Sequence, residues 1–321
     1  MADKVRIAVA GAGRFGREHI RTLAGMDDVA IAGIAEPDEA ARRDVAAAHD
    51  VETAAADIGD ILERTKPDGL VIASPAHTHV QIACMALARN IPILLEKPVG
   101  MSVADADLLI AAEKASRGFV LPGHILRFAA PYRTTIAIAQ SGEIGDILSV
   151  SARNHRDDSH AARYPDIDPV LMTMIHDIDL AIWATGSVLA SVLACRCPPE
   201  TFRSETLVLG KDARGCLWQM SNAWTYPTLD APPDRLEIVC DQGSVELEFG
   251  SRIRVSGKHS RSIDLKAAAP DNELRNELAA FVAGVRAGTH PGVVTLAEAR
   301  LGLIAAEAIV RSFTLGEMVR P

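Results

Sequence analysis

Short apolar runs and amphipathic segments alternate along the first third of the chain. Residues 5–10, 29–35, 69–73, 91–95 and 119–121 are near-continuous apolar runs, the pattern of strands covered on both faces. Segments with helical character, 15–24, 77–88 and 103–115, lie between them. Strands separated by helices predict parallel βαβ units with helices on both sides of one sheet. Beyond Arg127 the pattern changes. A helix over 130–140 leads into a strand over 147–152 and then a polar stretch. A strong helix follows, which Asp168 can cap, Pro169 can open and Gly186 can end. Leu171, Ile175, Ile178 and Ile182 are spaced four, three and four residues apart in it and predict a core stripe, with His176 beside the stripe. Runs at 188–196, 205–209, 216–223, 236–239 and 244–249, separated by Gly, Pro and charged turns, predict meandering antiparallel strands. Helices over 272–287 and 296–313 close the chain, with no internal repeat and no long linker.

A chain of 321 residues suits two domains with ample core. Its 48% hydrophobic and 23% charged content is ordinary for a soluble globular protein, and its net charge of −9 argues against nucleic-acid or anionic-membrane surfaces. No apolar run approaches the roughly 20 residues of a spanning helix, and the start Met1-Ala2-Asp3-Lys4 shows no secretory pattern. The cysteines, at 84, 195, 197, 216 and 240, are scattered without metal-ligand spacing. Reduced structural thiols, no metal and a cytoplasmic location are therefore expected.

The first chemical signal is Gly11-Ala12-Gly13-Arg14-Phe15-Gly16, which closes the first strand and opens the first helix. Glycines there allow a tight turn and close backbone approach, so free N–H groups at the helix start can hold a pyrophosphate. The second strand ends at Glu36, and 36 − 16 = 20 residues separate it from the last glycine. A carboxylate at that distance can accept from the adenosine ribose 2′-OH and repel a 2′-phosphate, which favours NAD over NADP. Glu36 also has the plainer reading of a solvated loop carboxylate, and Arg14 can still reach a phosphate.

The second signal is Glu96-Lys97-Pro98, directly after the apolar run 91–95. Oxidising a secondary alcohol needs a cation against developing alkoxide charge and a route for the proton. Lys97 suits the cation role, and desolvation lowers a lysine pKa towards sharing the proton. Taken alone, Lys97 also reads as a surface lysine paired with Glu96.

These strings, with Ser74-Pro75, His79, Gly123-His124, Arg127-Phe128 and the helical His176-Asp177-Ile178-Asp179, resemble the glucose–fructose oxidoreductase/inositol dehydrogenase/rhizopine-catabolism family over essentially the whole length. The resemblance implies an α/β fold: a Rossmann domain with a doubly wound parallel sheet at 1–124, and an α/β domain with a large, mostly antiparallel open sheet at 125–321. It implies NAD held by Gly11, Gly13, Arg14, Phe15, Gly16, Glu36, Ser74, Pro75, His79, Glu96 and Lys97. It also implies a sugar or cyclitol substrate, and self-association through the second sheet as a homodimer or homotetramer. Lys97 and His176 become the catalytic pair, with Glu96 orienting the lysine and Asp179 structural. One departure stands out: many family dehydrogenases carry an aspartate four residues before this histidine, where the chain has Met172. Asp168, eight residues before His176, is better explained as a cap. His124, and Asn154 with Arg156 on one strand face, are further candidates for substrate contact beside Met172. Three functions fit: an NAD-dependent polyol dehydrogenase, a redox-assisted lyase or glycosidase that retains its NAD, and a nucleotide-binding regulator without turnover.

Overall fold

The structure, a computed structural model, describes residues 4–227, 231–266 and 272–321; the start at 1–3, expected to carry no secretory pattern, lies outside them. Up to Gly123 the elements alternate: β1 (Val5–Ala10), α1 (Arg14–Ala24), β2 (Val29–Ala35), α2 (Glu39–Ala48), β3 (Ala54–Ala55), α3 (Ile58–Thr65), β4 (Gly69–Ile72), α4 (His79–Leu87), β5 (Ile93–Glu96), α5 (Val103–Lys114) and β6 (Val120–Gly123). The second half contains α6 (Ala130–Gln140), β7 (Ile147–Asp157), α7 (Ser159–Arg163), a π-helical turn (Val170–Met174) and α8 (Ile175–Thr185). Strands β8 (Leu189–Cys197), β9 (Glu205–Asp212), β10 (Leu217–Tyr226), β11 (Arg235–Cys240), β12 (Gly243–Glu248), β13 (Arg252–Ser256) and β14 (Arg261–Asp264) follow, then α9 (Glu273–Ala287) and α10 (Leu296–Leu315).

The chain forms two compact units, Met1–Phe128 with Asn272–Arg300, and Ala129–Asp271 with Leu301–Pro321. The first is built on a parallel six-stranded sheet in the order β3-β2-β1-β4-β5-β6, the doubly wound arrangement. Its central strands are largely apolar because helices cover both faces; β4, β5 and β6 are buried along their whole length. On α1 the buried positions Gly16, His19, Ile20 and Leu23 form one face. Leu278, Phe281 and Val282 of α9 join the same core as Ile7, Val71 and Leu94. A Cβ on Gly69 would lie 3.0 Å from the Phe281 ring, so the missing side chain makes room for this late helix. The apolar stripe of α9 is visible in the sequence, but periodicity does not say which sheet it covers.

The second unit holds an eight-stranded sheet in the order β14-β13-β12-β11-β7-β10-β9-β8. Alternation explains its two faces: β9 is exposed and buried at successive positions, with Thr206 and Val208 inside and Leu207 and Leu209 outside. The sheet is mostly antiparallel but not a simple meander, because β7 lies between β11 and β10 and runs parallel to β10. Residues 158–216, through α7, α8, β8 and β9, make the long connection that this parallel pair requires.

The helix expected from Pro169 to Gly186 opens instead with the π-helical turn. Its wider winding turns Val170 and Met174 fully inward and leaves Leu171 half-buried, so Leu171 leaves the expected core stripe while Ile175, Ile178 and Ile182 keep to it. Both expected ends hold. The Asp168 carboxylate accepts from the Val170 N–H at 2.8 Å, and Gly186 closes α8 in the left-handed region at φ 58°, donating to Ile182.

Candidate functional site

In the first unit β1, β2, β4, β5 and β6 run parallel, so the segments leaving their C-terminal ends share one sheet edge. That edge includes the switch point between β1 and β4, where ligands of such sheets bind. The glycine turn leaves β1. Gly11 has φ +98°, and a Cβ there would meet Ala73 O and Ser74 N at 2.7 Å; a Cβ on Gly16 would lie 2.2 Å from Gly11 O. Both glycines are required by close packing of the turn against α1 and against the segment after β4. Gly13 differs: a Cβ there meets nothing within 4 Å, and the first turn of α1 has no acidic residue. The opening of α1 therefore presents backbone N–H groups and a positive dipole end to open space, which fits a pyrophosphate. Arg14 and Phe15 are exposed beside it.

Glu36 leaves β2 half-buried, and its carboxylate accepts from the Ala12 N–H at 2.7 Å and from the Asp38 N–H at 3.0 Å. A carboxylate has about four lone-pair directions, so acceptor capacity remains for a ribose hydroxyl. The sequence reading missed Arg42. On α2, it donates to the main-chain carbonyls of Glu36 and Pro37 at 2.5 and 3.2 Å, holding the backbone of the segment that carries the carboxylate.

At the next two strand ends a buried histidine links two loops. His79 is 1% exposed, with Nδ1 2.9 Å from Pro98 O and Nε2 2.9 Å from Ser74 O. Burial holds its pKa below the ordinary value against those two carbonyls, so a neutral ring donates to one of them at a time. The imidazole thus lies inside the loops, holding Ser74 and Pro98 in place, while Pro75 is exposed. Lys97 is half-buried after β5. The preceding Glu96 turns inward: Oε1 lies 2.8 Å from Nε2 of the fully buried His19, and Oε2 accepts from the Lys97 N–H at 3.2 Å. His124, directly after β6, is 2% exposed.

In the second unit α8 is buried nearly all round, and His176 and Trp183 are its half-exposed positions. Met172, in the π-helical turn, is half-buried as well. The turn is anchored by polar bonds. Thr173 Oγ1 donates to Pro169 O at 3.0 Å and accepts from Asn222 Nδ2 at 2.7 Å and Trp224 Nε1 at 3.1 Å. Asp168, besides capping, forms a two-pronged ion pair with Arg196 at 2.6 and 2.7 Å. Asn154 and Arg156 do share a face of β7. Asn154 is buried and hydrogen-bonds Asp177, whereas Arg156 is held by Asp234 at 2.5 and 2.8 Å.

Asp177 was passed over in the sequence because it adjoins the histidine on a helix that looks apolar. It is 4% exposed, and burial, reinforced by the charge of Asp234, pushes its carboxyl well above the usual range. A raised folded pKa means stability that is full below the unfolded value near 4 and is lost as pH rises through the folded pKa. Asp177→Asn is therefore expected to gain thermal stability relative to the native chain as pH increases above about 4, with a slope of at most about 1.4 kcal/mol per pH unit. Melting curves of both proteins from acid to alkaline pH test this, and a constant difference across that range would show Asp177 to be ionised in the fold.

Among the described residues no cluster of three His, Cys, Asp or Glu is placed to hold a metal ion, and no helix is long and apolar enough to cross a membrane. Residues 5–124 match the family model described as an oxidoreductase family with an NAD-binding Rossmann fold, and residues 132–246 match the C-terminal domain of the same family. The inositol 2-dehydrogenase of Leifsonia xyli subsp. xyli is 31% identical over 221 residues, covering 66% of this chain and 64% of that protein. The chain thus aligns with less than two thirds of that relative's length. The myo-inositol 2-dehydrogenase of Lactobacillus plantarum shares the fold at a TM-score of 0.86 and 20% identity, over 99% of both chains. An oxidoreductase from Agrobacterium radiobacter, solved with NAD+, L-tartaric acid and magnesium, does so at 0.87 and 19%, over 99% of this chain and 98% of that one. With both of its domains matched in order, the chain belongs to the glucose–fructose oxidoreductase/inositol dehydrogenase/rhizopine-catabolism (Gfo/Idh/MocA) family of oxidoreductases.

Proposed function

We propose that the chain is an NAD-dependent dehydrogenase or reductase acting on a hydroxyl of a sugar, cyclitol or related polyol. The observation that carries this reading is the shared sheet edge of the first unit. It combines an open helix start at Gly13, a carboxylate, Glu36, bonded to the glycine turn, and a half-buried lysine. Bound NAD would accept or return the hydride. The turn Gly11–Gly16 holds the pyrophosphate, Glu36 the ribose, and Ser74 and Pro75, braced by His79, line the path to Lys97. Lys97 stabilises developing alkoxide charge, Glu96 orients it, and His176 carries the proton. Met172 shapes the substrate pocket, and His124, Asn154 and Arg156 contribute polar surroundings. A cyclitol is favoured because the Leifsonia relative is an inositol 2-dehydrogenase. Self-association is proposed through the outer face of the second sheet, where Leu193, Leu207 and Leu209 are exposed.

A screen of sugars, inositols and their keto forms, followed by cofactor absorbance with NAD and NADP, tests the reading. Turnover without net NADH would point to a lyase or glycosidase that retains its cofactor. Binding of NAD without turnover on any of these compounds would favour a regulator, the outcome that Met172 in place of the aspartate makes worth testing.

Cofactor choice gives a separate prediction. The Glu36 carboxylate opposes a 2′-phosphate in a partly desolvated place. Glu36→Ser is expected to narrow the ratio of NADP to NAD dissociation constants by on the order of tenfold, because the like-charge contact with the phosphate is removed. Titration of both cofactors measures this, and tighter binding of NADP by the native chain would overturn it.

A further inference from the structure

Two pins from the second sheet hold the π-helical turn, one at each end. The far pin is Thr173, bound by Asn222 and Trp224 of β10. The near pin is Asp168. Its carboxylate accepts from the Val170 N–H at 2.8 Å, and its main-chain oxygen accepts from the Leu171 and Met172 N–H groups, each at 2.9 Å. One residue thus takes up three of the backbone donors that a helix start leaves without partners. Asp168 is fixed in turn by Arg196 of β8. The guanidinium grips the two carboxylate oxygens at 2.6 and 2.7 Å, and its Nε donates to Thr206 Oγ1 of β9 at 2.9 Å. Its central carbon lies 4.0 Å from the centre of the Phe313 ring on α10. The Arg196 side chain is 3% exposed, so these contacts are made almost out of reach of water.

We propose that Arg196 is a positioning residue for substrate choice: acting through Asp168, it sets where Met172 stands. The proposal rests on the reading of Met172 as a wall of the substrate pocket. A two-pronged guanidinium–carboxylate pair fixes direction as well as distance, which a point charge does not. With Thr206 and the Phe313 ring holding the guanidinium, residue 168 cannot turn without breaking a prong. The main-chain oxygen that receives the Met172 N–H is fixed with it. The order of the pins decides which residue feels Arg196 most. Met172 lies between them, whereas His176 follows Thr173 and keeps the bonds from β10. Loosening Arg196 should therefore displace residue 172 more than residue 176, and alter fit more than chemistry.

Removing Arg196 alone would strand a carboxylate and weaken the whole fold, which says nothing about placement. The test therefore uses two charge-balanced variants of the full chain. Arg196→Lys keeps the charge without the fork. Arg196→Leu combined with Asp168→Asn removes both charges and keeps an oxygen for the Val170 N–H.

NMR of isotope-labelled methionine methyl groups gives a readout that needs no substrate, and the Met172 resonance is identified by its loss in Met172→Ala. It should shift in both variants, while those of Met26 and Met85 in the first unit stay in place. Kinetics on the two best polyols of the screen supply the second readout. The ratio of their KM values should change by roughly tenfold, the scale of a displaced apolar contact. Turnover numbers should stay within about threefold of native. An unmoved Met172 resonance in the folded variants would overturn the proposal. An equal loss of kcat on both polyols at an unchanged KM ratio would do the same. So would failure of both variants to fold, which would make Arg196 a support of the fold alone. Should no polyol be turned over, the substrate reading falls by itself, and the methyl resonance still decides whether Arg196 places residue 172.

Discussion

Replacing Lys97 with Met is expected to lower turnover by at least about 10²-fold, the usual cost of removing an acid–base or electrostatic group from a reacting oxygen. The thioether keeps much of the length and apolar stem but cannot hold charge or donate a hydrogen bond. NAD affinity should change little, since the pyrophosphate is assigned to the turn at Gly11–Gly16 and the ribose to Glu36. Glu96 should keep its place too, because the backbone N–H of residue 97 and His19 both still bond it. Steady-state kinetics and cofactor titration on the same preparation separate the two effects. Near-normal turnover of Lys97→Met would remove the lysine from the chemistry, and parallel loss of NAD binding would make its role structural.

Much of this arrangement was legible because it depends on local rules. The run before Gly11 is apolar since β1 is central in a covered sheet, and the glycines follow since the turn packs against Ala73 and Ser74. Asp168, Pro169 and Gly186 mark their helix through side-chain and backbone preferences that operate within a few residues. What escaped the sequence was long-range pairing. The Asp168 carboxylate that caps the turn also binds Arg196, 28 residues away, and nothing in either segment announces the other. The partnership of His19 with Glu96 spans 77 residues, and on α1 the histidine looks like one more position on an apolar face. The π-helical turn escaped for a related reason. Leu171, Ile175 and Ile178 fit a regular helix by spacing, but bonds from Asn222 and Trp224 of β10 to Thr173 anchor the wider winding. Likewise α9 shows its apolar stripe and conceals its destination, since burial chooses a partner surface that periodicity does not name.

His176→Ala is expected to depress turnover strongly, whereas Met172→Ala should mainly change KM or the ranking of substrates. The argument begins with Met172 itself. A thioether accepts no proton and orients no ammonium, so it leaves the proton-handling duty of the family aspartate unfilled. Asp177 does not substitute for it, because its carboxyl is buried and hydrogen-bonded by Asn154. That leaves His176, half-exposed, like Trp183, on a helix buried nearly all round and held by the anchored turn before it. An imidazole changes charge in the range where a polyol dehydrogenase works, so it can take the alcohol proton and pass it on. Met172 then contributes apolar surface, and trimming it should alter fit more than chemistry. A loss of about 10²-fold or more in kcat for His176→Ala, with a flattened pH–rate profile, is the expected result. Full activity in His176→Ala would end the relay assignment, and an equal collapse of kcat in Met172→Ala would show that residue 172 acts on the chemical step after all.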